Sequence, residues 1–579
     1  MGSIREEYDF VIVGAGPSGS VLASGLARTS KKPSVLLIEA GSVNDNVEYT
    51  VPADRFSLAF SQPSLNWGYK TAPQTHLKGQ EVDYSRGKGL GGSSAINFSC
   101  WILGSSDDYD AWADMTGDDA WKWDGKDGVK ERIKKITTYH TEVREEHRKF
   151  IDPKPEGYHG TSGPLHLSYA DPWEKGLENV FIAAEEVGMP LNKDVLEVNS
   201  GNPIGMGMGA GCMYAGARTT AAVFLKDPPS NLTIMTDAPI HKVIVDESKT
   251  AKGILTINGR QIYANKEVIL SAGALNTPQL LLLSGIGPRS ELEKHNIPVI
   301  HEMSQIGQNL QDHSFVGSTL ILKEGTNDRM IHEGDVEGVK KLREQHAIDK
   351  SGVLNSMYCS TPMGFFKSDA ILNSEEFKSL DKAEQERING ATVPHFEIAT
   401  HIPPLYLGDY ELKPNDAYLC ALAFIMNPQA TGSVTLRSAD PSANPIIQPN
   451  LANHPFDRRV IIEALREMWK LLEAPVLKKD TVQMVGVPKG RSDEEIWDYA
   501  SGCLASSWHM CSTVKMGKPD DTTASTDTDF RLRGIKNLRV VDLSVMPFLV
   551  SNHTQSTAYL VGQTAVEKMM KEYGLEESV

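Results

Sequence analysis

The run Tyr8-Asp-Phe-Val-Ile-Val-Gly14-Ala-Gly16-Pro-Ser18-Gly19 places three glycines where a chain could turn around a pyrophosphate. Gly14 allows a sharp exit from a strand, Gly16 lets the backbone approach a phosphate, and Gly19 permits close packing of the helix that follows. That helix begins at Ser18 and offers unpaired N–H groups and the positive end of its dipole. Glu39 lies twenty residues beyond Gly19, followed by Ala40, at the end of a second apolar run. Its carboxylate is placed to accept from a ribose hydroxyl and disfavours a 2′-phosphate, so FAD or NAD is expected rather than NADP.

This chemistry requires a strand, a tight turn, a helix and a second strand. Residues 10–13 and 34–38 read as buried strands, and 18–28 as a helix with small residues facing the sheet. Further on, 232–235, 242–245, 252–257 and 261–263 are strand-like, and 267–273 is a buried strand ending in Ser-Ala-Gly before a helix over 277–284. Residues 538–542 predict another strand and 557–571 a helix. The sheet is therefore expected to draw on separated parts of the chain. Charged segments at 129–143 and 373–387 read as surface helices, and 153–157 as a loop between domains.

At 579 residues, two or more domains are expected. A net charge of −17 argues against nucleic acid or an anionic membrane as partner. No apolar run reaches the ~18–20 residues of a membrane helix. The acidic start, Met-Gly-Ser-Ile-Arg-Glu-Glu, shows no signal peptide, so a cytoplasmic location is expected, with a removed leader left open. The six cysteines are scattered, with no CxxC pair and no His/Cys cluster at ligand spacing; free thiols and no metal are expected.

Two longer motifs narrow the reading. Gly87-Lys-Gly-Leu-Gly91-Gly92-Ser93-Ser94-Ala-Ile-Asn97, with Trp101, Gly104 and Asp110 downstream, resembles the first signature of the glucose–methanol–choline (GMC) flavin oxidoreductases. Gly273-Ala-Leu-Asn-Thr-Pro278-Gln, continuing to Ser284-Gly285-Ile-Gly287, resembles their second. The resemblance implies an α/β protein with a discontinuous Rossmann-like FAD-binding domain (1–155, 206–305 and 532–579, with 50–80 shared) and an α+β substrate-binding cap (156–205 and 306–531) containing an antiparallel sheet. It implies that Gly91, Gly92, Ser93 and Asn97 lie against the flavin, that the Val243 backbone meets the adenine, and that Asp542, Thr554 and Gln555 contact the cofactor. Members with covalent flavin carry His where this chain has Ile96, so non-covalent FAD is expected.

In the same family the catalytic pair matches His509 and His553, 44 residues apart. Removing a hydroxyl proton as hydride departs calls for a base, and imidazole suits that task near neutrality. His509 is read as the base and His553 as its hydrogen-bonding partner. The chain has His509-Met-Cys-Ser-Thr513 where family members commonly have His-Pro-x-Gly-Thr, which brings Met510 and Cys511 into question as pocket residues. Trp508, Phe396, Tyr406 and Phe424 are further candidate walls. The expected activity is oxidation of a small-molecule alcohol, with dioxygen or another electron acceptor. A non-redox lyase, dehydratase or cyclase of the same family is the alternative, and oligomeric state is left open.

Overall fold

The computed structural model describes all residues except 1–5, 45–49, 153–159, 194–200, 331–334, 356–360, 414 and 577–579. The loop expected at 153–157 lies outside the described residues, as does the boundary expected at 155. The fold is mixed α/β. Strand β1 (Glu7–Val13) runs into the glycine turn and helix α1 (Pro17–Ala27), then β2 (Val35–Ile38). The chain later returns through β3 (Leu232–Met235), β4 (Ile240–Val245), β5 (Ala251–Thr256) and β6 (Gln261–Leu270). Helix α2 (Gly273–Leu283) follows immediately.

These strands form one sheet in the order β4-β5-β6-β1-β2-β3. β6 pairs in parallel with β1 along one edge. Its other edge is divided between β5, antiparallel, and β13 (Leu538–Val540), parallel. The segments 261–263 and 267–270, read separately from sequence, are thus one ten-residue strand. Buried Phe10, Val11, Ile12, Leu36, Leu37, Val268 and Ile269 form its core. The apolar runs fit parallel strands buried on both faces, with α1 packed against β1, β2 and β3.

A second, antiparallel sheet contains β7 (Ser314–Leu322), β8 (Met363–Phe366), β9 (Phe396–Ile402), β10 (Ala417–Ile425), β11 (Thr481–Val485) and β12 (Ala505–Ser506). Its order is β8-β9-β10-β7-β11, with β12 also on β7. Every residue of β7, β9 and β10 is buried. Helix α3 (Pro455–Leu472) packs on this sheet, and its Trp469 indole donates to Ser318 Oγ at 2.9 Å.

Two expected helices are shorter than their charge patterns predict. The 129–143 segment is helical only over Val129–Ile136, then becomes a strand (Thr137–His140) paired in parallel with Leu165–Tyr169. The 373–387 segment splits at Asp381, whose side chain accepts the Glu384 N–H and caps a new helix, Lys382–Ile388. The last helix, α4 (Gln555–Tyr573), packs against α1. Among the described residues, no helix is long and apolar enough to cross a membrane.

Candidate active site

The carboxyl ends of β1, β2 and β6 open on a cavity of about 470 Å³, lined there by Val13, Ile38 and Ser271. Strand ends and helix starts of this kind leave backbone N–H groups free for an anionic ligand. Gly14 has φ +105°, and a Cβ there would lie 2.3 Å from the Ser271 carbonyl oxygen. Gly19 would bring a Cβ 2.0 Å from the Gly14 carbonyl oxygen, so its role is the close packing of turn and helix. Gly16 differs: it lines the cavity, and nothing lies within 4 Å of a Cβ built on it. A side chain at Gly16 would enter the cavity.

Two buried carboxylates brace this end. Glu39 Oε2 accepts the Ala15 N–H at 2.9 Å, while Oε1 accepts those of Gly41 at 2.9 Å and Gly89 at 3.0 Å. The Ala40 N–H also bears on this carboxylate, so the side chain is held mostly by backbone donors of the protein itself. Asp542 Oδ2 accepts from Gly273 N at 2.9 Å and Thr277 Oγ1 at 2.6 Å, and Oδ1 from Ser544 N at 2.8 Å. Burial raises the pKa of both carboxyls against the pull of these donors.

The other expected cofactor residues take several positions. Ser18, Ala40, Gly92, Ser93, Asn97, Thr554 and Gln555 line the cavity. Ser18 spends its hydroxyl on the Ala558 carbonyl, tying α1 to α4. Asn97 Nδ2 donates to Gln555 Oε1 at 2.5 Å. Gly91 lies behind the wall, where its N–H bonds the Ala15 carbonyl and joins two glycine loops. Val243 is not on the cavity wall: it is 1% exposed and its N–H is taken by Ser284 Oγ at 2.9 Å. Pro239 and Ile240, at the start of the same strand, line the cavity instead.

At the opposite end the structure brings His509 and His553 together, with ring centroids 4.9 Å apart, both on the cavity wall. His553 Nε2 donates to Glu397, 2.9 and 3.1 Å from its two carboxylate oxygens. Burial opposes a charge on His553, but Glu397 and the Cys100 thiol outweigh it, and its pKa is pushed up to about 10. His509 shifts the other way. Burial, then the positive charge of His553, with the neighbouring His313 and the Arg86 guanidinium acting in the same direction, holds it well below the ordinary imidazole range. One imidazole is therefore charged and its neighbour neutral at pH 7, and their titrations belong to the pair.

Of the expected pocket residues, Trp508 and Met510 line the cavity. Trp508 has φ +58°, rare for a bulky side chain. Three contacts hold it there: its N–H on Ser506 Oγ, its indole N–H on Asp83 Oδ1, and its carbonyl on the Arg86 guanidinium. Its ring meets Phe98 edge-on at 5.5 Å and lies 6.4 Å from Phe60, making an aromatic wall. Cys511 is a correction: it is fully buried, beside Ser512 Oγ, and contributes no wall. Phe396 packs on Phe366 in the second sheet, and Tyr406 on Phe315 with its hydroxyl on the Cys503 carbonyl; neither reaches the cavity. Phe424 sits behind His553 at 6.0 Å and supports that ring without lining the space.

Glu397 and His313 escaped sequence reasoning. Their one visible signal is a polar residue set in apolar strand sequence, Phe-Glu397-Ile-Ala-Thr and His313-Ser-Phe-Val. Phe98, Cys100 and Arg86, also on the cavity wall, lie next to residues that were singled out. Among the described residues no group of three or more His, Cys, Asp or Glu is arranged to hold a metal ion.

Comparison with known proteins agrees with this geometry. The family models described as GMC oxidoreductase match residues 8–315 and 428–562. An alcohol dehydrogenase [acceptor] of Pseudomonas putida is 31% identical over 574 residues, covering 97% of this chain and 96% of that protein. Versicolorin B synthase of Aspergillus parasiticus is 29% identical, covering 98% of this chain and 88% of its own. A formate oxidase structure from Aspergillus oryzae RIB40, titled for FAD modification, superposes with a TM-score of 0.86 at 27% identity, covering 99% of this chain and 100% of that chain. The chain belongs to the GMC oxidoreductase family, whose members and structural neighbours are FAD-binding flavoproteins.

Proposed function

We propose that this protein is an FAD-dependent alcohol oxidoreductase, oxidising a CH–OH donor to an aldehyde or ketone. The observation that carries the reading is one continuous cavity with a glycine and N–H cradle at one end and a neutral–charged histidine pair at the other. In this reading the first sheet belongs to a Rossmann-like FAD-binding domain built from 1–155, 206–305 and 532–579. The second sheet belongs to a cap built from 156–205 and 306–531. Gly14, Gly16 and the start of α1 would hold the pyrophosphate, Glu39 a ribose hydroxyl, and Ser93, Asn97 and Thr554 the ring end. Ile96, on the cavity wall, offers no nucleophile for a covalent link.

Bound FAD would supply the hydride acceptor. The protein does the rest. His553, charged and anchored on Glu397, donates a hydrogen bond that orients the substrate hydroxyl. Neutral His509 takes the hydroxyl proton, which makes the C–H bond a better hydride donor. The wall of Trp508, Phe98 and Phe60 excludes water and favours an apolar or aromatic substituent on the alcohol.

A second reading, acid–base chemistry without net redox, is supported by the same charged–neutral pair and by a relative named as a synthase. Anaerobic addition of candidate alcohols separates the two. Bleaching of the flavin band, near ~450 nm, is expected for the oxidoreductase; turnover without bleaching would transfer the assignment to the second reading. His509→Ala should slow flavin reduction by about 10²-fold or more.

A further inference from the structure

We propose that His313 is a positioning residue, a buried neutral imidazole that fixes the tautomer of His509 so that its Nε2 holds the lone pair that takes the substrate proton. The proposal rests on the reading of His509 as the base, and it follows from counting protons along a chain of contacts. His313 Nε2 lies 3.1 Å from the Met426 carbonyl oxygen, which can only accept, so this nitrogen carries a hydrogen. Burial, with the charge of nearby His553, drives the His313 pKa down to about 3 and keeps the ring neutral. A neutral imidazole has one N–H, so His313 Nδ1 is bare.

Facing that bare nitrogen at 2.9 Å is His509 Nδ1. Two lone pairs at this separation would repel, so His509 Nδ1 carries the hydrogen and donates it. Ser507 can be satisfied in the same arrangement. Its hydroxyl donates to the His313 carbonyl at 3.2 Å and thus turns a lone pair to His509 Nδ1 at 3.0 Å. Both neighbours of Nδ1 present acceptors, and the one proton of neutral His509 must sit there. Nε2 is left bare. The ring is held in place by its own backbone, whose N–H donates to Asp312 Oδ1 at 2.7 Å.

The arrangement does the orienting work of the carboxylate in a hydrolase triad, without its negative charge. When Nε2 receives the hydroxyl proton, Nδ1–H keeps both acceptors, and no other proton has to move. The titratable and charged groups facing His509 are His553, His313 and Arg86, with Asp312 at its backbone; those facing His313 are His509 and His553.

Tautomer and kinetic measurements on the flavin-loaded protein test the proposal. In ¹⁵N-histidine-labelled protein at neutral pH, His509 should show a protonated Nδ1 and a bare Nε2; the reverse pattern overturns the proposal, whatever any variant does. His313→Phe should lower the rate of flavin reduction by about 10–100-fold, the scale of lost orienting partners, with substrate affinity nearly unchanged. His313→Gln, which can offer an amide oxygen to Nδ1, should recover much of that loss, and His313→Asp should move the kinetic pKa of the base upward. Parental rates and an unchanged pH profile in His313→Phe would overturn it. His509→Gln distinguishes the underlying reading: parental flavin reduction there removes His509 as the base, whereas a slow His509→Gln beside a parental His313→Phe removes only the His313 relay.

Discussion

The two ends of the cavity are built on opposite plans. At the glycine end the ligand-facing groups are backbone, and the side chains that matter, Glu39 and Asp542, mostly hold the backbone in shape: each accepts three hydrogen bonds from the protein itself. At the histidine end the working groups are side chains, ordered by other side chains from remote strands: Glu397 behind His553, and His313 and Ser507 behind His509. In the proposed reading, binding rests on conformational geometry, whereas chemistry rests on the placement of protons. Damage to the first should empty the site. Damage to the second should leave it occupied and slow.

That contrast can be broken or sharpened by substitution. The largest effect is expected for Gly14→Ala, where a left-handed φ and a 2.3 Å clash with backbone oxygen combine. We expect a loss of about 3 kcal/mol of stability and protein that purifies colourless; a fully yellow, normally stable variant would refute the backbone plan. Next, Glu397→Gln should bind flavin normally while reduction by alcohol falls about 10–100-fold, and loss of flavin instead would blur the two ends.

The same residue controls a pH effect. Because the pKa of His553 is raised to about 10, its stabilising contribution is complete below the unfolded value near 6.5 and is lost as pH rises through 10. The melting temperature of the parent should fall between pH ~7 and ~10 more steeply than that of Glu397→Gln; equal slopes would show that the pair is not ionised as described. The smallest effect is expected for Cys511→Ala, about 1 kcal/mol of stability with flavin reduction within about twofold of parental, since that side chain lies in the core. A larger kinetic effect would return Cys511 to the pocket.

The same division explains what was legible before the structure. Gly14, Gly16, Gly19 and Glu39 lie in one short stretch, and each answers a local backbone demand that neighbouring residues reveal. Val243 lies off the cavity wall although Ile240, three residues earlier on β4, lines it, and the polar residues of that strand, His241 and Lys242, do not reveal which position meets the cavity. His313 lies 196 residues from His509, and Glu397 lies 156 from His553. No periodicity links positions so distant: β12, just before His509, reaches His313 by pairing with β7, and Glu397 is carried to the same region on β9. Phe396 and Tyr406 erred in the opposite sense: aromatic residues in this region mostly serve the core of the second sheet.

One feature of the first sheet bears on how the protein is made. β13 takes the second half of an edge of β6, and α4 lies on α1 with the Ala558 carbonyl on Ser18. The strand and helix that complete the sheet beside the glycine turn are therefore synthesised some five hundred residues after the turn they support. A chain that stopped before residue 538 would lack both the strand that completes this edge of β6 and the Ala558 carbonyl that accepts from Ser18, leaving the glycine turn without its late-made support.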